Sequence, residues 1–278
     1  MPTHGSNDTI FGGYFVFLQS KDCLIDDEHG NAKCEFYLDK IIQPERADIG
    51  MLVSLIDCEI PFSFYNVSNS IGNNTLTINQ ETFELEDRNY NAYNIADAFN
   101  THFIKSDFCV GITMEFNDNT NKFTLQSANS FEINRTPMVK ELGMGDLPQT
   151  TKLYKSSQCA NLSGTSAIYI ESSNMLLNNI NSFGKTFNVL GKVLVDASPS
   201  SFIFHQPNHQ QFFMLSNSLN FISIEMKNDD GKHIDFNKVN WSLTLAIDFY
   251  RKRNDFVDTK HLMDYPKDGK DSLDAVLK

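Results

Sequence analysis

The sequence has no excess of basic residues and no long apolar run. Its 278 residues include 23 Lys and Arg against 35 Asp and Glu, a formal net charge of −12. Binding of nucleic acid requires clustered Lys and Arg that neutralise phosphates, so this charge argues against a nucleic-acid partner. The one basic cluster, Arg251 to Arg253, is short and typical of a solvated strand end. No apolar segment approaches the roughly 20 residues of a membrane-spanning helix, and we expect no membrane span.

Paired-cysteine motifs and a signal peptide are also missing. The chain has five Cys, an odd number, and no two of them have CxxC spacing. This usage indicates reduced thiols and folding inside a cell. No basic–apolar–small signal peptide opens the chain, because its first residues are polar. Most of the thiols lie in apolar or strand-like contexts, which predicts buried and unreactive side chains. They are Cys23, Cys34, Cys58, Cys109 and Cys159.

Each sequence motif for catalysis or metal binding that can be recognised in part lacks at least one required residue. No GxSxG elbow is present for a serine nucleophile. Gly184-Lys185-Thr186 matches the end of a phosphate-binding loop, but the earlier Gly is missing and a strand-like stretch follows instead of a helix. His205 and His209 are four residues apart, but Pro207 forbids a regular helix between them. Asn117 to Asn119 resembles a calcium loop without its closing Glu. We therefore expect no enzyme, no cofactor, and no catalytic, cofactor-binding or metal site.

Phenylalanine and asparagine are abundant, whereas tryptophan is scarce. There are 23 Phe and 9 Tyr against one Trp. Phe suits a pleated, half-buried surface and Asn favours turns, which together indicate many short strands joined by Asn-rich turns. Aromatic residues in strands are more often core or subunit interface than a carbohydrate platform, and the single Trp241 lies on the apolar side of an alternating strand.

Strand patterns occupy both ends of the chain. Gly13 to Leu18 is apolar on both faces, which is typical of a central strand. The clearest strands lie between Leu219 and Arg253, where apolar and polar residues alternate strictly and predict two antiparallel strands with one buried and one wet face. Asp229-Asp230-Gly231 supplies turn chemistry between them. The other predicted strands are Glu35–Ile42, Met51–Pro61, Ile168–Glu171, Phe187–Asp196, Phe202–His205 and Phe212–Ser216.

The middle of the chain has a different, mixed pattern. Two short strands flank a turn at Asn79-Gln80, and Asn91 can cap a helix that continues to Phe103. A hairpin with its turn at Asn117 to Asn121 follows, and then a short helical turn at Val139 to Met144. These patterns predict a β-sandwich of residues 13–74 and 148–253, with a small α/β unit of residues 75–147 inserted into it. Residues 148–166 resemble a linker or long loop, 1–12 a flexible arm and 254–278 a charged tail.

Several segments of the C-terminal third resemble one protein family. They are Ile168 to Ser172, Val189 to Val193, Phe212 to Ser216, Leu219 to Asn228, and a D-G turn with I-D-F and then W-S-L-T-L from Asp230 to Leu245. The N-terminal part is similar too, with an F-V-F-L-Q-S start, a strand ending in Glu59-Ile60-Pro61 and Asn89-Tyr90 before a helix. The chain thus resembles, over most of residues 13–253, the penton or vertex capsid proteins of the polinton, polinton-like virus and virophage group.

The resemblance implies an all-β dominated fold, a single jelly-roll antiparallel β-sandwich of eight strands with an inserted domain. It also implies a homopentamer at the five-fold vertex of a viral capsid, in contact with double-jelly-roll major capsid proteins. Such a protein belongs to the virion and folds in the host cytoplasm or a virus factory. The alternatives are another minor capsid protein or a jelly-roll module that binds a receptor or glycan. The polar N-terminal arm and the charged C-terminal tail would be tethers that become ordered on assembly.

Overall fold

The computed structural model describes residues 10–23, 31–147, 150–175, 179–180, 186–207, 211–214 and 218–251. Several predictions from the sequence lie outside these residues: the arm up to residue 9, Gly184 and Lys185 of the partial phosphate loop, His209, and the charged tail.

The strands are β1 (Ile10–Gln19), β2 (Lys33–Ile42), β3 (Ile49–Pro61), β4 (Thr75–Ile78), β5 (Glu81–Glu84), β6 (Thr113–Asn117), β7 (Lys122–Phe131), β8 (Ile133–Asn134), β9 (Thr151–Lys155), β10 (Ala167–Glu171), β11 (Asn179–Ile180), β12 (Thr186–Phe187), β13 (Val189–Leu194), β14 (Phe202–His205), β15 (Gln211–Phe213), β16 (Leu219–Lys227) and β17 (Ser242–Arg251). The helices are α1 (Ala92–Lys105) and α2 (Pro137–Glu141), with a 3₁₀ turn at Ser20–Asp22.

Two antiparallel sheets form a jelly roll. The first sheet has the order β1–β17–β3–β14, with β15 paired to β3 beside β14, and the second has the order β13–β10–β16–β2. Along the chain, the sandwich strands pass from one sheet to the other at almost every step, and the first strand pairs with the last. This is the strand order of an eight-position jelly roll, in which β14 and β15 share one position. The fold class expected from the sequence is confirmed, including the small α/β unit between β3 and β10.

The sandwich core contains the apolar side of each long strand. Ile222, Ile224 and Met226 of β16 face Leu243, Leu245 and Ile247 of β17 across it, and all six are buried. Trp241 is 2% exposed and packs edge-on against Phe36, with 6.0 Å between the ring centroids. Its indole Nε1 donates to the Asn31 carbonyl oxygen at 2.8 Å, so the one polar atom of the ring is satisfied.

The two strands expected between Leu219 and Arg253 are present but belong to different sheets. β16 pairs with β10 and β2, whereas β17 pairs with β1 and β3. The expectation of a wet opposite face is wrong for Ser223, which is fully buried, and for Thr244. The segment after β10 covers β16, because Ser173 Oγ donates to Ser223 Oγ at 2.8 Å and Asn174 Nδ2 to the Phe221 carbonyl.

The first strand corrects two expectations. β1 begins at Ile10, so residues 10–12 belong to the sheet and not to a flexible arm. β1 also lies at the edge of its sheet, paired on one side with β17, and is not a central strand. The second apolar face of β1 is also not covered by another layer of the described residues. Phe15 and Phe17 on this face are 68% and 74% exposed.

The inserted part has its own hydrophobic core. β4 pairs with β5 and β8, β7 pairs with β6 and β9, and α1 packs Ile95, Phe99 and Phe103 into the space between them. Asn91 caps α1 as expected: its Oδ1 accepts from the Tyr93 and Asn94 backbone amides at 3.0 and 2.9 Å. No helix of the described residues has the length and hydrophobicity needed to cross a membrane.

The loop expected over residues 148–166 is partly wrong. Residues 151–155 form β9, which pairs with β7, because Tyr154 is buried in the second core despite the Ser, Thr and Gln around it. Val67 also contributes to this core. Both residues lie outside 75–147, and the exact division of the chain into sandwich and insert stays a prediction. The chain passes between the two cores through residues 62–66 and 162–166.

Candidate interaction surface

Phenylalanine side chains stand out from the outer face of the first sheet. Successive residues of a strand point to opposite faces, and Val16, Leu18 and Ile203 point into the core. Their neighbours therefore point outward. We call the outward set the phenylalanine face: Phe15 and Phe17 on β1, Phe202 and Phe204 on β14, and Phe213 on β15, which are 68%, 74%, 43%, 73% and 39% exposed.

Small and acidic side chains fill the middle of this face. Phe17 lies opposite Thr244, Thr244 opposite Asp57, and Glu59 opposite Phe204. Neighbouring strands are about 4.8 Å apart, so the two phenylalanine rims of this four-strand sheet are about 14 Å apart. Several large apolar side chains exposed on one face of a folded protein, with polar residues beside them, are typical of an interaction site.

The outer face of the second sheet is organised differently. Lys227 Nζ lies 2.7 Å from Glu171 Oε2 and 2.9 Å from Glu225 Oε2, and His233 Nε2 lies 3.2 Å from the same Glu225 oxygen. Lys192 lies over the Tyr169 ring, 5.4 Å from its centroid. Exposed apolar side chains flank these charges at both edges of the sheet: Tyr37 and Ile41 on β2 and Leu194 on β13.

The ion network shifts the protonation of its members. Partial burial alone would raise the pKa of the Glu225 carboxyl, but hydrogen bonds from Lys227 and His233 hold it below its usual value. Burial would lower the pKa of Lys227, but its hydrogen bonds to Glu171 and Glu225 raise it above its usual value. Both shifts stabilise the charged forms, so the network is intact at neutral pH.

Replacing Glu225 with Gln should reduce the loss of stability in acid. The folded-state pKa of Glu225 lies below its unfolded value of about 4.3, so the carboxylate stabilises the fold above that pH. This contribution is lost as the pH falls through the folded pKa. E225Q should thus be less stable than the wild type at neutral pH, with a difference that shrinks towards about pH 3. Thermal unfolding over a pH series measures this, and Glu115→Gln on the exposed side of β6 is the control. A constant difference at every pH would contradict the assignment.

Those residues weighed as catalytic or metal-binding that the structure describes do not come together. His205 lies on β14, and Asn117 to Asn119 lie at the β6–β7 turn. Among the described residues, no group of three His, Cys, Asp or Glu could hold a metal ion. Asp229 instead has a structural role, because its Oδ2 accepts from Ser166 N at 3.0 Å and from Ser166 Oγ at 2.8 Å.

The thiols differ from one another in exposure. Cys34, Cys58 and Cys109 are buried as expected, whereas Cys159 is exposed and Cys23 half-buried. Burial, with a smaller contribution from the Asp57 carboxylate, raises the pKa of the Cys58 thiol to about 12. This thiol stays protonated at neutral pH, and a protonated thiol is a poor nucleophile.

Comparison with known proteins adds little to these observations. The sequence matches no protein-family model and no curated protein. Among solved structures, the chain is similar to the mavirus penton protein with a TM-score of 0.46 and 11% sequence identity. The match covers 85% of this chain and 99% of the other. The jelly-roll assignment given above rests on the strand order.

Proposed function

We propose that this protein is a structural capsid protein that forms a homopentamer at the five-fold vertices of an icosahedral virion. The observation that carries the proposal is the pair of unlike outer faces on one jelly roll. The phenylalanine face has apolar rims around acidic Asp57 and Glu59. The opposite face has apolar side chains at both edges, Lys192 on the edge strand β13, and the ion network of Lys227 with Glu171 and Glu225 on its middle strands.

The two faces differ in both chemistry and position. They belong to different sheets of one sandwich and therefore point away from each other. When the phenylalanine face of one copy meets the lysine-containing face of the next, the contact is heterologous, and such contacts close into a ring when the rotation between copies divides the circle. Burial of one exposed Phe contributes about 1.5–3 kcal/mol, and several Phe per contact are enough to hold a ring together.

The proposal of five copies, and of a place in a capsid, rests on the sequence resemblance to vertex capsid proteins. The segments that resemble vertex capsid proteins include β10, β13, β16 and β17, and these strands build both sheets of the jelly roll. The resemblance supports a place in the virion and contact with surrounding double-jelly-roll major capsid proteins. Another minor capsid protein would present the same sandwich, but would not assemble as an isolated pentamer.

The oligomeric state of the purified full chain tests this proposal. We expect a particle of five 31.6 kDa copies, about 158 kDa, by sedimentation velocity, and five-fold rings by negative-stain electron microscopy. A monomer or trimer at the highest soluble concentration would contradict a self-assembling vertex protein.

A further inference from the structure

Two neighbouring hollows lie where the sandwich meets the inserted part. One has a volume of about 360 Å³ and is lined on the insert side by Tyr90 and Leu162. The other has a volume of about 370 Å³ and continues to Phe202 on the sandwich side. They share Phe62, Tyr65 and Asn89, and therefore form one groove. We call it the waist groove.

The lining of the waist groove has an unusual composition. Charged residues make up 21% of the chain, yet none of the described residues that line either hollow is charged. The lining combines aromatic rings with side-chain amides and hydroxyls. The aromatic members are Phe62, Phe64, Tyr65, Tyr90 and Phe202, and the amide members are Asn66, Asn89, Asn91 and Asn237.

Hydrogen-bonding capacity remains open at two of these amides. Asn89 uses its Oδ1 to accept from the Asn66 backbone amide at 2.9 Å, and Asn91 uses its Oδ1 to cap α1. Each side-chain NH₂ keeps two donors with no partner among the described residues. The groove thus presents fixed amide groups next to aromatic rings, with the amide oxygens already held in place.

The walls of the groove are held in place before any ligand binds. Phe62 stacks on Phe64 with 4.6 Å between the ring centroids, and the Arg88 guanidinium lies 4.5 Å from the centroid of the Tyr90 ring. Gly164 has a φ of +67°, and a Cβ at this position would lie 2.8 Å from the Asn66 Cβ. A preformed groove loses little conformational entropy when a ligand binds.

We propose that the waist groove binds an uncharged oligosaccharide. A sugar ring has apolar C–H faces that pack on aromatic rings, and hydroxyls that both donate and accept hydrogen bonds. Side-chain amides and hydroxyls of the lining match this dual behaviour. A phosphate, sulfate or sialic acid would bring a charge against a lining whose described residues include no charged side chain, and its desolvation would cost free energy.

A proline-rich peptide is the other neutral ligand for an aromatic groove, and it fits less well. Proline lacks a backbone N–H and offers only carbonyl acceptors, which suit the open NH₂ groups but leave the hydroxyl acceptors of the lining unpaired. The sugar proposal does not depend on the vertex proposal, because the groove lies within one protomer. The protein can therefore form the pentamer without binding a glycan, and it can bind a glycan without forming the pentamer.

A glycan array tests the proposal with the full-length protein. The array carries neutral oligosaccharides and the same structures with sialic acid or sulfate, and a decaproline peptide is titrated in parallel. We expect binding to at least one neutral glycan, with the charged counterpart bound about ten-fold or more weakly, a difference of about 1.4 kcal/mol. Binding to none of the neutral glycans, or to decaproline in their place, would overturn it.

Variants of the groove locate the binding. Tyr65→Ala and Asn89→Ala should each weaken binding of the neutral glycan about ten-fold or more, and Tyr65→Phe should retain most of it because the ring stays. Tyr93→Ala and Asn129→Ala, at exposed positions of the inserted part outside the groove lining, are matched controls that should bind like the wild type. Undiminished binding by the Tyr65→Ala, Asn89→Ala double variant would show that the glycan binds elsewhere.

Discussion

Replacing Phe15 and Phe17 together with Ser should dissociate the proposed pentamer into folded protomers. Both side chains are more than two-thirds exposed in the protomer, so they contribute little to its stability. Burial of each in a subunit contact contributes about 1.5–3 kcal/mol, so we expect the double substitution to weaken every contact of the ring by at least about 100-fold. Sedimentation velocity measures the loss of the 158 kDa species of five 31.6 kDa copies, and the thermal unfolding of the protomer checks that it stays folded.

The inserted part offers a matched control for this experiment. Ile104 and Phe108 are 85% and 69% exposed, and belong to the inserted part, at the end of α1 and in the loop after it. Replacing these two with Ser removes a similar apolar area without touching the phenylalanine face. The control should remain pentameric. If both double variants keep the ring, or both lose it, the phenylalanine face is not the specific subunit contact.

Local patterns predicted the strands and the helix well because their causes are local. Alternation identified the buried sides of β16 and β17, and Asn91 with the apolar spacing after it identified α1. The partners of the strands have no local signature. β1 pairs with β17, more than 200 residues away, and β16 and β17 belong to different sheets although they are neighbours in sequence.

The candidate surfaces were harder to predict for a related reason. An apolar stretch such as Phe15 to Leu18 has the same pattern in a central strand, covered on both faces, and in an edge strand that carries a contact site. Only the topology separates the two. The waist groove combines residues from five distant segments, near positions 62, 89, 163, 200 and 238, and no spacing within any one of them indicates a site.

The chain crosses between the sandwich core and the core of the insert twice, at residues 62–66 and 162–166. The Asn66 side chain connects these two crossings. Its Nδ2 donates to the Leu162 carbonyl at 2.7 Å and to the Tyr90 carbonyl at 2.8 Å, and its Oδ1 accepts from the Tyr90 amide at 2.8 Å. Asn66 thereby ties the outgoing crossing to the returning one. This arrangement holds the insert against the sandwich and also forms part of the waist groove.

Asn66→Ala should therefore loosen the insert and destabilise the protein by about 3 kcal/mol, since it removes three hydrogen bonds worth about 1 kcal/mol each. Chemical denaturation measures the loss of stability, and hydrogen exchange at the Tyr90 amide reports the crossing directly because that amide loses its acceptor. Asn161→Ala is the matched control: its side chain contacts only Ser163 among the described residues, so its removal should cost little. Unchanged exchange at Tyr90 in Asn66→Ala would mean that the crossings are held by the surrounding packing, and that Phe62, Phe64 and Leu162 fix the insert without the amide.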